Sequence, residues 1–319
     1  MGNIKKNDKI LILGAGGVLG RNILKSLSKK YQVTGIVSTI PNDNSKNKKN
    51  IQYVVFNPSN FEVKFLSNFI KNFNVVVNCI GEISDISKMN SSNYLIVKKI
   101  TKSLMKHKNK HLIHISTCAI YGENEDSIIF ESSEAKPLDE YQKSKWKAEC
   151  HIIKNSKNNF FFTIIRPSQV LGIGMNNASL KKIYFYLKLG VFFLIKKTNP
   201  IFSYIFVNDL CLIVEKCISL KKSRNKIFLT SNFIYLKKLI NIIKDYFQLS
   251  KKTYTVNISF VKFAVNFFEF FHISFSLNSR ALKALVKKNM YSSFYTRKTL
   301  GINYFRNINY SNINFLLDK

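Results

Sequence analysis

The apolar run Ile10-Leu-Ile-Leu13 stops at Gly14, and glycines recur at Gly17 and Gly20 as a helical apolar pattern (Leu19, Ile23, Leu24, Leu27) begins. That order specifies a strand, a tight turn and a helix. The first glycine permits the turn, and the second lets backbone approach a phosphate. The third lets the helix pack on the sheet while its first N–H groups, at Val18 and Leu19, face the anion. The spacing is GxxGxxG, because Leu19 stands at the last position of GxGxxG. The turn reads as the pyrophosphate cradle of a dinucleotide site; a purely structural glycine turn before a buried helix is the alternative.

Strand and helix patterns alternate after it. Segments 32–37, 51–56, 75–81 and 111–116 read as strands, with helices running to about residue 72 and over about 86–107. The apolar run that opens at Val75 suits a parallel sheet buried on both faces. Repeated β-α units predict a Rossmann-like, doubly wound α/β fold. In such a sheet the end of the second strand meets the adenosine ribose, where a carboxylate marks preference for NAD. Ser38 and Thr39 stand there instead, with Lys46, Lys48 and Lys49 close behind, which favours NADP over NAD; a solvated loop is the plainer reading of those lysines. Asn57 stands where a polar contact to adenine would lie, and Pro58 occupies the tolerated first position of the next helix.

Fifty Lys and Arg against eighteen Asp and Glu give a net charge of +32. Such a balance suits nucleic acid, a membrane surface or an anionic substrate. No basic helix or recognition motif concentrates it, so no nucleic acid is expected as a partner, whereas attraction of phosphate-bearing small molecules is. The five cysteines form no CxxC and the five histidines no HExxH, so neither a disulfide framework nor a metal site is expected. Cysteine usage fits a reducing cytoplasm. The N-terminus, Met1-Gly-Asn-Ile-Lys-Lys6, lacks the apolar core of a signal peptide, so the expected location is cytoplasmic.

Chemistry begins at Ile115-Ser-Thr117-Cys-Ala-Ile-Tyr121-Gly122, where the fifth strand ends. Twenty-four residues after Thr117 comes Tyr141-Gln-Lys-Ser-Lys145. A Tyr and a Lys four apart share a helix face, so the ammonium can approach the phenol and favour phenolate. Tyr141 is thereby a candidate acid/base. Thr117, at the carboxyl end of a strand, could hold the reacting oxygen through its hydroxyl. An ordinary amphipathic helix with an exposed Lys and a buried Tyr is the competing reading of the pair.

The glycine turn, the Ser116-Thr117 stretch, Tyr141-x-x-x-Lys145 and Arg166-Pro-Ser-Gln-Val-Leu-Gly172 resemble, in order and spacing, the extended short-chain dehydrogenases/reductases. Tyr204-Ile-Phe-Val-Asn-Asp209 and Tyr291-Ser-Ser293 carry the resemblance to about residue 305. It implies an NAD(P)-dependent epimerase or oxidoreductase acting on a nucleotide-activated sugar. Thr117 would orient the substrate oxygen, Tyr141 would exchange its proton, and Lys145 would lower the Tyr141 pKa and bind the nicotinamide ribose. Ser116 could replace Thr117 if the register differs by one. Cys79, Ile80 and Gly81, at the end of the fourth strand, and Pro167 and Ser168 would border the cofactor. Cys118 and Ala119 stand where the family's 4,6-dehydratases carry an Asp-Glu pair, so elimination is not expected. Glu82 could face substrate or solvent. The alternative function is a non-catalytic NAD(P)-binding scaffold or redox-sensing subunit.

The resemblance divides the chain into a dinucleotide-binding domain over 1–171 and a region, 172–319, that is mainly a smaller substrate-binding lobe, with 201–247 returning to the sheet. It also implies a homodimer packed through helices near 90–106 and 141–155. Segments 181–197 and 256–277 are apolar and aromatic-rich, but interior charges argue against spans. They are either lobe helices or a peripheral contact with an anionic membrane.

Overall fold

The computed structural model describes residues 9–40, 50–56, 62–124, 126–157, 159–263, 282, 286 and 289–313. Seven parallel strands form the central sheet: β1 (Lys9–Leu13), β2 (Gln32–Val37), β3 (Ile51–Val55), β4 (Val75–Asn78), β5 (His111–Ile115), β7 (Phe161–Pro167) and β11 (Lys226–Thr230), in the order β11-β7-β5-β4-β1-β2-β3. The order reverses at β1, which pairs with β2 on one side and β4 on the other. In a sheet of this kind the crevice for a ligand opens at the carboxyl ends of those strands.

Period-two alternation sorts the sheet residues into two cores. Ile10, Ile12, Val75, Val77, Ile113 and Ile165 pack with α1 (Val18–Leu27) and α7 (Val207–Ser219) on one face. Leu11, Leu13, Val76, Leu112 and Ile164 pack on the other, beneath α2 (Val63–Ile70), α4 (Ile96–Leu104) and α5 (Glu140–Ser156). Burial on both faces explains why these strands read as continuous apolar runs. The Rossmann-like α/β arrangement expected from the sequence is the one observed.

The helix expected over 86–107 is built in three pieces. A short α3 (Ile86–Met89), capped by Asp85, passes through a π-helical turn, Asn90–Leu95, into α4. The extra residue of a π turn re-aims side chains, a device frequent at functional sites.

Beyond residue 172 a second core gathers α6 (Ala178–Leu189), β10 (Ile201–Phe206) and α8 (Leu236–Tyr246) around Leu180, Leu187, Tyr204, Phe206 and Leu239. Here β10 pairs with β8 (Gln169–Leu171) and β12 (Asn232–Tyr235) in a sheet of its own. The return to the main sheet is therefore narrower than 201–247: α7 packs against α1, and β11 joins β7. Of the two apolar segments, 181–197 forms part of α6 and then β9 (Phe193–Ile195), separated by Gly190 at φ +76. Segment 256–277 lies largely outside the described residues. Among the described residues no helix is long and apolar enough to cross a membrane.

His111 and His114 face opposite sides of β5. His111 Nε2 meets Thr163 Oγ1 at 2.7 Å, and His114 Nδ1 meets Asn78 Nδ2 at 3.1 Å. Burial pushes His111 from 6.5 down to about 3 and holds His114 well below the usual imidazole range. Both rings stay neutral when folded, whereas in acid the unfolded chain binds their protons. This contribution to stability is complete above about pH 6.5 and is lost as pH falls, with His111 alone forfeiting about 2 kcal/mol at pH 5. Thermal denaturation should show a falling Tm between pH 7 and pH 5 and a shallower fall in His111→Gln; equal slopes for the two proteins would contradict the assignment.

Candidate active site

A cavity of about 2470 Å³ opens at the carboxyl ends of the strands. It exceeds the roughly 300–1,000 Å³ typical of one small-molecule pocket, leaving room for a dinucleotide and a second ligand. Gly17, Val18, Leu19 and Gly20 form its floor at the start of α1. Gly14 has φ +78, and a Cβ there would lie 2.9 Å from the Ile80 nitrogen; the first glycine admits both the turn and the end of β4. A Cβ on Gly20 would lie 2.1 Å from the Gly14 carbonyl oxygen. The third glycine thus lets α1 close onto the turn while its buried face packs on the sheet. Because Gly17 is the N-cap, no side chain caps the helix, and its positive end faces the cavity.

Tyr141, Lys145, Thr117, Cys79, Gly81, Pro167 and Ser168 line the same cavity. Asp139 starts α5 by accepting the Gln142 N–H at 2.9 Å, which sets Tyr141 in the first turn and Lys145 one turn later. Thr117 accepts the Ala119 N–H at 3.1 Å, starting the short 3₁₀ turn Cys118–Tyr121, and lines the cavity together with Tyr141. The structure sets Thr117, rather than Ser116, against the phenol. Lys145 is buried and donates to the Ile115 carbonyl at 3.0 Å, with its Nζ 3.0 Å from where a Gly81 Cβ would sit. Glycine at 81 leaves the space the ammonium occupies.

Electrostatics in the site run partly against expectation. Burial lowers Lys145 to about 8, opposed by the thiol of Cys79 and the carboxylate of Glu149. Burial raises Tyr141 above 10, with the Thr117 hydrogen bond working the other way. The expected fall in the Tyr141 pKa is therefore not produced: the ammonium is directed to Ile115 and Gly81, and desolvation of the phenol dominates. Cys118 is a buried thiol that donates to the Arg166 carbonyl at 3.0 Å.

Other expected cofactor residues lie further away. Ser38 and Thr39 are exposed just beyond β2, and the described lining of the cavity does not include them. Ile80 turns its side chain to the α2/α4 core. Asn57, Pro58 and the lysines at 46, 48 and 49 lie outside the described residues. Glu82 accepts the N–H groups of Ile83, Ser84 and Asp85 at 2.9, 2.7 and 3.1 Å, so its carboxylate caps its own loop.

Asn93 and Glu149 escaped the sequence reading, and Arg166, Tyr204 and Asp209 entered it only as members of family segments. Asn93, aimed inward by the π turn and wholly buried, accepts from Glu82 N at 2.8 Å and donates to Glu82 O and Ser144 Oγ, each at 3.0 Å. Ser144 in turn donates to the Tyr141 carbonyl at 2.8 Å, which ties the loop after β4 to the first turn of α5. Arg166 and Glu149 form a buried ion pair behind Thr117, 3% and 0% exposed. Tyr204 and Asp209 hold the C-terminal segment by accepting from Ile308 N at 3.0 Å and Arg306 N at 2.8 Å.

The residues fit a dinucleotide. Besides the glycine cradle, the Ser168 hydroxyl in the cavity wall is buried with no partner among the described residues. The model of the NAD dependent epimerase/dehydratase family matches residues 10–228. The chain belongs to this family. It is 27% identical over 220 residues to GDP-6-deoxy-D-talose 4-dehydrogenase of Aggregatibacter actinomycetemcomitans, covering 66% of this chain and 70% of that one. It is 26% identical over 251 residues to UDP-glucose 4-epimerase of Vibrio cholerae, covering 72% and 73%. A solved structure of UDP-glucuronic acid 4-epimerase from Bacillus cereus with NAD shares the fold, with TM-score 0.72 and 16% identity over 97% of this chain and 100% of that one. The family and these relatives agree with the resemblance carried by the sequence motifs.

Gly20→Ala tests the cradle. Its Cβ would meet backbone rather than a flexible side chain, so α1 must shift. Both Tm and dinucleotide affinity should fall, the latter at least tenfold by fluorescence titration; wild-type affinity would show that the close approach is not required.

Proposed function

We propose that the protein is an NAD(P)-dependent epimerase or oxidoreductase acting on a nucleotide-activated sugar. The observation that carries this reading is that Thr117, Tyr141 and Lys145 line one cavity with the start of α1. Named activities of the relatives on GDP- and UDP-linked sugars support the substrate class.

In this reading Gly14, Gly17 and Gly20 bring backbone to the pyrophosphate, with Val18 and Leu19 presenting N–H groups. Lys145 holds the nicotinamide ribose, and Cys79, Gly81, Pro167 and Ser168 border the ring. A bound nicotinamide would supply hydride exchange at its C4 carbon. Thr117 orients the substrate oxygen, and Tyr141 gives or takes its proton. A phenol raised by burial is protonated at neutral pH, which suits proton donation to a carbonyl. Ser38 and Thr39, with no carboxylate at the end of β2, support NADP over NAD. Cys118 and Ala119 after Thr117 support redox chemistry without water elimination.

Tyr141→Phe removes only the phenolic oxygen. Turnover of a nucleotide-sugar panel should fall at least a hundredfold, while dinucleotide affinity stays within about twofold. Unchanged turnover would remove Tyr141 from the chemistry. A wild-type protein that binds NADP and turns over no sugar would favour the scaffold reading.

A further inference from the structure

The buried ion pair behind the site bears on catalysis, provided the reading above holds. Glu149 lies one turn beyond Lys145 and two beyond Tyr141 on α5. Its carboxylate accepts from Arg166 Nε and Nη2 at 2.7 to 3.2 Å, and also from the Ser116 hydroxyl. Arg166 Nη1 donates to the Tyr121 phenol at 2.6 Å and the Glu131 carbonyl at 3.0 Å. The Arg166 carbonyl accepts from the Cys118 thiol at 3.0 Å.

These partners have a pattern. Ser116 and Cys118 flank Thr117; Ser116 is tied to the carboxylate of the ion pair, and Cys118 to the backbone carbonyl of Arg166 on β7. Neutralising Arg166 alone would not require the Ser116 tie. Thr117 stands between two anchored neighbours, its hydroxyl accepting from Ala119 N and the residue itself lining the cavity with Tyr141. Two β5 residues away, Lys145 is fixed to Ile115 O by the same helix that carries Glu149.

We infer that Ser116 and the Glu149–Arg166 pair are positioning residues that clamp the backbone on either side of Thr117, so that its hydroxyl stays registered with Tyr141 when the substrate oxygen arrives. Holding reacting groups within a fraction of an ångström is the kind of preorganisation whose loss costs rate rather than binding. In this inference Ser116, whose hydroxyl is given to Glu149, acts through Thr117.

A double-mutant cycle on the full chain tests this. Ser116→Ala should lower kcat about tenfold, an intermediate loss given that a misplacement of about 1 Å can cost about a hundredfold. KM, dinucleotide affinity and Tm should stay near wild-type values. In a Thr117→Val background the same change should have no further effect, because the residue it positions is gone. Glu149→Gln, which keeps an acceptor for Ser116 but breaks the ion pair, should lower both kcat and Tm. The inference is overturned if Ser116→Ala leaves kcat within twofold, if the two single losses multiply, or if dinucleotide affinity and Tm fall with kcat. A wild-type protein inactive on every nucleotide sugar would overturn the proposed function and this inference with it; an active wild type with a silent Ser116→Ala would overturn this inference alone.

Discussion

Three successive turns of α5 rest on the carboxyl end of β5 and the adjoining β7, and the candidate site depends on that contact. Tyr141 meets Thr117, Lys145 meets the Ile115 carbonyl, and Glu149 meets Ser116 and Arg166. Residues four apart share a helix face, so one docking orientation delivers all three. Asp139 fixes where the helix begins, and Asn93 with Ser144 braces its first turn. If the helix rotated, the phenol, the ammonium and the carboxylate would leave their partners together.

Such a face is costly to bury. Charged Lys145, Glu149 and Arg166 lose water, and an unpaired charge there would be strongly destabilising. Glu149 and Arg166 offset this by satisfying one another, with Ser116, Tyr121 and the Glu131 carbonyl taking up what remains. Lys145 has only a carbonyl as its hydrogen-bond partner among the described residues, and burial accordingly brings its pKa to about 8. Glu149 opposes that fall from one turn away. The same low-dielectric setting raises Tyr141, and Thr117 rather than the cation expected to lower it is what opposes the rise.

Much of this was legible in the chain. Glycine at 14, 17 and 20 after a four-residue apolar run specified the first β-α unit, and at 14 and 20 few other residues would tolerate the backbone approach. Tyr141 and Lys145 were readable because helix spacing puts them on one face and the other motifs stand around them in order. Glu149 was not, since its partner Arg166 sits on another element and no short spacing joins them. Asn93 escaped for a different reason: a regular helix over 86–107 conceals the π turn that aims it inward. Tyr204 and Asp209 were noticed as a family segment, but their grip on residues 306 and 308 depends on a chain reversal about a hundred residues long. The direction of the Tyr141 shift is a property of burial, which no local pattern encodes.

The central claim is that one cavity brings a dinucleotide held by the Gly14–Gly20 turn to the Thr117–Tyr141–Lys145 group. The most direct test is to denature the purified protein, before and after incubation with NAD and NADP, and to identify and count the released small molecules by mass spectrometry. About one nicotinamide dinucleotide per chain, NADP displacing NAD, is the expected result. A protein that retains neither would contradict it.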